Sequence, residues 1–168
     1  MAEGARRRVP FRRRREGRTD YRRRLRLLRS GEARAVVRKS LNQVQIQIVA
    51  YHEKGDRVVA SALSGELREF GWTGATGNVP AAYLTGLLAG RRAAKHGVTS
   101  AVLDLGVQRP SVGGRLFAAA KGLVDGGLQV PHGEDVLPSA DRIAGAHLGE
   151  ERRKAIAAVK GKMEAGLP

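Results

Sequence analysis

The sequence contains no cysteine, which excludes disulfides, thiolate metal sites and cysteine nucleophiles and fits a reducing compartment. No apolar run approaches the roughly 20 residues of a membrane-spanning helix, and the N-terminus lacks the apolar segment of a secretory signal. Arg-rich N-termini also mark organelle transit peptides, but those are rich in serine and the first serine here is Ser30. The histidines His52, His96, His132 and His147 sit in separate segments with no HxxxH or HExxH pairing, so metal ligation is not expected. Carboxylates are equally scattered. Glu53 and Asp56 flank a turn glycine, Glu134 and Asp135 fall in a loop, and Asp104 ends an apolar run, where it is expected to accept local backbone donors. Without an acid–base pair or metal cluster to single out, the chain reads as a non-enzyme with neither cofactor nor metal.

What is present in excess is positive charge. Against 16 Asp and Glu stand 31 Lys and Arg, a formal charge of +15. Residues 1–40 hold sixteen of these cations and four of the acids, a balance of +12, which leaves only +3 for the other 128 residues. Charge of one sign on this scale implies a polyanionic partner. The densest stretch, Arg6–Leu28, has twelve arginines beside only Glu16 and Asp20, so its guanidinium groups stay hydrated until phosphates replace the water. Arg6–Arg15 is expected to be disordered in the free chain and to order on nucleic acid.

Along the chain, Thr19 or Asp20 is a cap for a short helix that puts Tyr21, Leu25 and Leu28 on one face and is ended by Ser30 and Gly31. Tyr21, among arginines, offers either a stacking face for a base or an anchor onto the globule. Ala33–Lys39 has a β-branched centre, and after Ser40–Asn42 the run QVQIQIVAY alternates strictly, with Val44, Ile46 and Ile48 facing a core and Gln43, Gln45 and Gln47 the other way. A turn at His52–Asp56 leads to a third strand in RVVASAL, giving an antiparallel meander.

The segment GWTGATGNVP then feeds a helix from Val79 to about His96, with Asn78 as N-cap and Pro80 in its first turn. A Gly-rich loop at a helix N-terminus is an anion site in principle, but the spacing matches neither a P-loop nor GxGxxG. Trp72 in this loop either stacks on a base or wedges the loop onto the sheet. Small residues at Ala82, Gly86, Ala89 or Gly90, and Ala93 are expected to let the helix lie tightly on a sheet. SAVLDLGV reads as a buried strand reached by a helical crossover and therefore parallel to its neighbour. A second helix over Gly113–Asp125 turns Leu116, Phe117, Ala120 and Leu123 inward. A small helix in PSADRIAGAHL follows, and then a charged helix with Ile156, Val159 and Met163 on one side.

Six segments in this order, RRRREGRTDYRRRLRLL (Arg12–Leu28), VVRKS (Val36–Ser40), KGDRVVASA (Lys54–Ala62), GWTGATGNVPAAYLTGLLAG (Gly71–Gly90), AVLDLG (Ala101–Gly106) and VPHGEDVLPSADRI (Val130–Ile143), resemble the archaeal and eukaryotic form of large-subunit ribosomal protein eighteen. The resemblance covers Arg12 to about Leu148. It implies an α/β (α+β) domain with a mixed sheet of three antiparallel strands and one parallel strand, helices packed on one face, and an extended basic N-terminus running into RNA. It also implies cytoplasmic residence in the large ribosomal subunit. There the family binds 5S rRNA and joins it to the large-subunit rRNA in the central protuberance, beside ribosomal protein five of the large subunit and other central-protuberance proteins.

Carried over by position, the RNA-binding set implied is Arg12, Arg13, Arg14, Arg15, Arg18, Tyr21, Arg22, Arg23, Arg24 and Arg26 in the arm. Arg38, Lys39 and Ser40 join it from beside the first strand, and Trp72, Thr73, Gly74, Thr76, Gly77 and Asn78 from the glycine loop. The chain divides into a basic arm (1–30), a globular 5S-rRNA-binding domain (31–148) and a charged amphipathic C-terminal helix or tail (149–168) with no match to the family pattern. The competing functions are a non-specific nucleic-acid packaging or chaperone protein and a small metal-dependent nuclease using Asp104. No membrane partner is expected.

Overall fold

The computed structural model describes residue 4 and residues 8–165, so Arg6 and Arg7 of the basic run lie outside the described residues. Two short helices, α1 (Arg12–Arg15) and α2 (Tyr21–Leu28), precede three strands, β1 (Ala33–Lys39), β2 (Val44–Ala50) and β3 (Arg57–Leu63). A 3-10 helix over Ser64–Phe70 leads to α3 (Val79–Lys95), then β4 (Ala101–Asp104), α4 (Arg115–Asp125), α5 (Ala140–Ile143) and α6 (Glu150–Ala165). The strands form one sheet in the order β3-β2-β1-β4, antiparallel except for the β1–β4 pair. That single parallel pair follows from the crossover through α3, as the apolar run in AVLD anticipates.

Period-2 patterning sets the core. Ala35 and Val37 of β1 and Val44, Ile46 and Ile48 of β2 are wholly buried beneath Leu84, Leu87 and Leu88 of α3 and Leu116 and Leu123 of α4. Asn78 caps α3 by accepting from the Ala81 amide at 2.8 Å. In α4, Leu116, Ala120 and Leu123 turn inward as expected, whereas Phe117 is only half-buried.

Two of the small residues of α3 serve a different contact from the one the sequence suggests. Gly86 and Gly90 meet the second helix, not the sheet: a Cβ built on Gly86 would stand 2.2 Å from the Ala119 carbonyl oxygen and 3.0 Å from the Gly122 Cα. One on Gly126 would stand 3.0 Å from the Gly90 Cα. Gly86 and Gly90 of α3 thus meet Gly122 of α4 and its C-terminal cap Gly126, backbone onto backbone, and α3 is buried on nearly every side.

The charged helix α6 buries Ile156, Val159 and Met163 in the same core, and Arg91 donates from Nη1 to the Met163 carbonyl. Beneath it, the Tyr83 hydroxyl donates to Asp125 Oδ2 at 2.9 Å with the Lys160 ammonium 5.7 Å from the ring centroid. Burial first, and the Asp125 carboxylate second, push the Tyr83 phenol well above its ordinary range.

Candidate nucleic-acid interface

Arg12–Arg15 forms one helical turn. Its repulsion is relieved locally: Glu16 lies 3.2 Å from Arg18 and 3.9 Å from Arg12, and Arg13 donates from Nε to Thr19 Oγ1 at 2.9 Å. Asp20 then caps α2, accepting from the amides of Arg22 (3.0 Å) and Arg23 (3.1 Å). These bonds, the one from Arg23 foremost, hold its carboxyl below the usual range.

Tyr21 contacts Phe11 with ring centroids 5.4 Å apart and keeps about a third of its surface exposed. The docked face of α2 is only partly the expected one: Leu28 is half-buried, but Leu25 points to solvent and Leu27 is half-buried in its stead beside Arg24. Arg14, Arg15, Arg22 and Arg26 are exposed and have no acidic partner among the described residues.

Opposite the core, the second face of the sheet receives this arm. Arg34, only 3% exposed, points away from its strand neighbours Ala35 and Val37 and lies between two acids. It donates to Asp104 Oδ2 at 2.9 Å and to Asp56 Oδ2 at 2.6 Å. A cation is tolerated at such a depth only when it is paired and hydrogen-bonded in this way. Arg24 reaches the same Asp56 oxygen at 2.8 Å, and Arg23 donates to the Gly106 carbonyl at 2.6 Å. Arg38 donates to the Asp104 carbonyl at 2.7 Å and approaches its Oδ1 at 3.3 Å.

Asp104 does accept a local backbone donor, the Gly106 amide at 2.8 Å, but most of its bonding is to these arginines. Gly106 takes a φ of +60, and a Cβ there would stand 2.9 Å from the Arg38 guanidinium, so the turn admits little else. A cleft of about 240 Å³ opens here, with Arg13, Arg18, Arg23 and Arg24 on the arm side and Gln47 on the sheet side. Of the polar residues in and just before β2, Gln43 and Gln45 are exposed and Gln47 is half-covered.

At the far end of β1 a second group assembles. Arg115, at the start of α4, donates from one nitrogen to the carbonyls of Gly77 (2.9 Å), Ser40 (3.1 Å) and Leu41 (3.3 Å). Thr76 Oγ1 donates to the Asn42 carbonyl at 2.6 Å, and the Lys39 amide is held by Gln108 Oε1 at 3.1 Å. The β1–β2 turn and the glycine loop, far apart in sequence, therefore sit together around a cavity of about 400 Å³ that also includes Arg68, Gly74 and Asn78. Thr73 is exposed beside it. Of the two roles open to Trp72, the structure shows the packing one: the indole is 3% exposed and donates to the Ala75 carbonyl at 3.3 Å. Arg38 on β1 and Ser40, just past its end, link this group to the arm cleft.

With that geometry established, comparison with known proteins identifies the lineage. A family model described as "Ribosomal large subunit proteins 60S L5, and 50S L18" matches residues 5–98 and 93–133. The chain belongs to this family. Three relatives carry the description "Large ribosomal subunit protein uL18". That of Natronomonas pharaonis is 54% identical over 150 residues, 89% of this chain and 82% of the relative. That of Methanococcoides burtonii is 56% identical over 150 residues, 89% and 87% respectively. That of Haloarcula marismortui is 53% identical over 150 residues, 89% and 80% respectively.

Membership in the uL18 family accounts for the excess of positive charge, since a ribosomal protein has ribosomal RNA as its partner. The sequence singles out neither Arg34 nor Arg115, and it marks Asp56 only as an acid of the turn before β3. The signal that was available is that Arg34 and Asp56 are charges in or beside runs of otherwise core-forming residues, where an ion must find a partner.

Proposed function

We propose that the chain binds 5S rRNA and joins it to the large-subunit rRNA in the central protuberance, beside ribosomal protein five, without catalysing a reaction. The observation that carries this reading is the docked arm, which is clasped to the globule and still presents Arg14, Arg15, Arg22 and Arg26 with no acid to neutralise them. The arm (1–30) supplies phosphate contacts through Arg12–Arg15, Arg18, Arg22 and Arg26. The globule (31–148) adds Arg38–Ser40 and the exposed part of the glycine loop, and Tyr21 offers a stacking face. The relatives' description as ribosomal proteins supports a structural role. Chemistry at Asp104 is disfavoured because its carboxylate is engaged by Arg34, Arg38 and the Gly106 amide.

Binding of the full chain to isolated 5S rRNA, measured across a salt series, tests the proposal. The expected result is preference for 5S rRNA over random RNA, with log affinity falling by about 0.7–0.9 per log unit of salt for each phosphate neutralised. Equal affinity for random RNA and duplex DNA at physiological salt would instead mark a non-specific packaging protein.

A further inference from the structure

Two acids on the sheet face that meets the arm are an unexpected composition for a surface turned toward a polyanion. The geometry points to Asp56 as a positioning residue for RNA binding: its carboxylate is the latch that holds the arm in the direction the RNA requires. The inference rests on the arm being the RNA-binding element.

No residue of α2 is fully buried, so apolar packing contributes little to its docking, and the polar fasteners carry it. There are two, on consecutive residues: Arg24 reaches Asp56 in the turn before β3, and Arg23 reaches the Gly106 carbonyl in the turn after β4. β3 and β4 are the outer strands of the sheet, so the pair fixes the rotation of the helix as well as its place.

Asp56 cannot swing away to follow Arg24, because the same oxygen is held by Arg34, whose side chain is 4% exposed and is itself anchored on Asp104. The latch is thus built before the arm arrives. Arg24, grouped with the phosphate-binding arginines by position alone, turns inward to Asp56, and its neighbours Arg22 and Arg26 remain free to meet RNA.

This assignment reverses the sign that charge alone would give. Removing a carboxylate from a protein that binds a polyanion should tighten binding by simple Coulomb attraction. Loss of a latch should weaken it, because an arm that is correctly docked about one-tenth of the time has a roughly tenfold poorer apparent affinity.

The test uses the full chain carrying Asp56→Asn or Arg24→Met, with two readouts: hydrogen exchange of the α2 amides in the free protein, and 5S rRNA affinity over a salt series. For both variants the expected result is faster exchange confined to residues 21–28, affinity lower by roughly tenfold, and an unchanged salt slope. Arg24→Met leaves Arg34 paired with both acids and decides the matter if Asp56→Asn fails to fold.

Unchanged protection of α2, or Asp56→Asn binding as tightly as the parent or more so, would overturn the latch. So would a slope reduced by about one phosphate in Arg24→Met, which would make Arg24 a direct ligand. If the parent chain itself does not prefer 5S rRNA, the proposed function fails separately, and the exchange result alone decides whether Asp56 holds the arm.

Discussion

Replacing Gly86 by alanine and replacing Gly161 by alanine are the same chemical change in the interior of a helix, yet the structure assigns them opposite effects. Each gains about 0.8–1.0 kcal/mol of helix propensity. Around Gly161 in α6 nothing lies within 4 Å of the new Cβ, so that gain is the whole effect. At Gly86 the Cβ would stand 2.2 Å from the Ala119 carbonyl oxygen and 3.0 Å from the Gly122 Cα. Both neighbours are backbone, so no rotamer change relieves the clash, and α3 and α4 must part by about 1 Å across a close-packed seam. Overpacking costs about 1–3 kcal/mol, and two unyielding backbone contacts put this seam at the upper end, about 2–3 kcal/mol, leaving Gly86→Ala less stable than the parent by about 1–2 kcal/mol and Gly161→Ala more stable by about 1 kcal/mol.

Urea unfolding followed by the fluorescence of Trp72, the single tryptophan and 3% exposed, reads the core directly. Circular dichroism tests whether the transition is all-or-none. For a chain of this size the two variants should differ in Tm by roughly 4–12 °C. If Gly86→Ala proves as stable as Gly161→Ala, the reading of the α3–α4 seam is wrong.

In the arm, Arg22→Ala with Arg26→Ala should weaken 5S rRNA binding and flatten the salt slope by about 0.7–0.9 for each arginine. A slope identical to that of the parent would show that neither meets a phosphate. At alkaline pH the Tyr83 phenol matters: because its folded value is raised, the folded state holds the proton more tightly, so its contribution is complete below the ordinary phenol value of about 10 and is lost as pH rises beyond it. Stability should therefore fall in that window, and Tyr83→Phe should show a shallower fall. Equal alkaline losses in the two proteins would assign the effect to another group.

What the sequence made legible was local. The strict alternation of β2 placed Val44, Ile46 and Ile48 in the core, and the caps at Asp20 and Asn78 marked two helix starts because a side-chain oxygen two or three residues from orphan amides acts within one turn. The crossover rule gave β4 its parallel partner.

What stayed hidden depends on residues distant in sequence. The 3-10 helix over Ser64–Phe70 has no clean period to read, and its N-terminus is fixed by Glu66 bonding back to the Leu63 amide. That Gly86 faces Gly122, and not the sheet, is decided by where α4 returns. Leu25 and Leu27 are equally apolar, and only the positions of Asp56 and Gly106 select which of them turns inward. At the candidate interface, charge marks the arm, but the meeting of the glycine loop with the β1–β2 turn depends on Arg115, which lies 38 residues beyond Gly77.

β1 carries Ala35 and Val37 to one side and Arg34 and Arg38 to the other, and this has a consequence for assembly. Arg34 finds Asp56 only after the hairpin into β3 has closed, and Asp104 only after the crossover through α3 has delivered β4. A chain whose sheet is unfinished already carries the arginines of the arm and the charge that draws a polyanion, but it has no seat on which to aim them. Attraction is therefore a property of composition, available from the moment of synthesis, while a correctly aimed grip is a certificate that the sheet is complete.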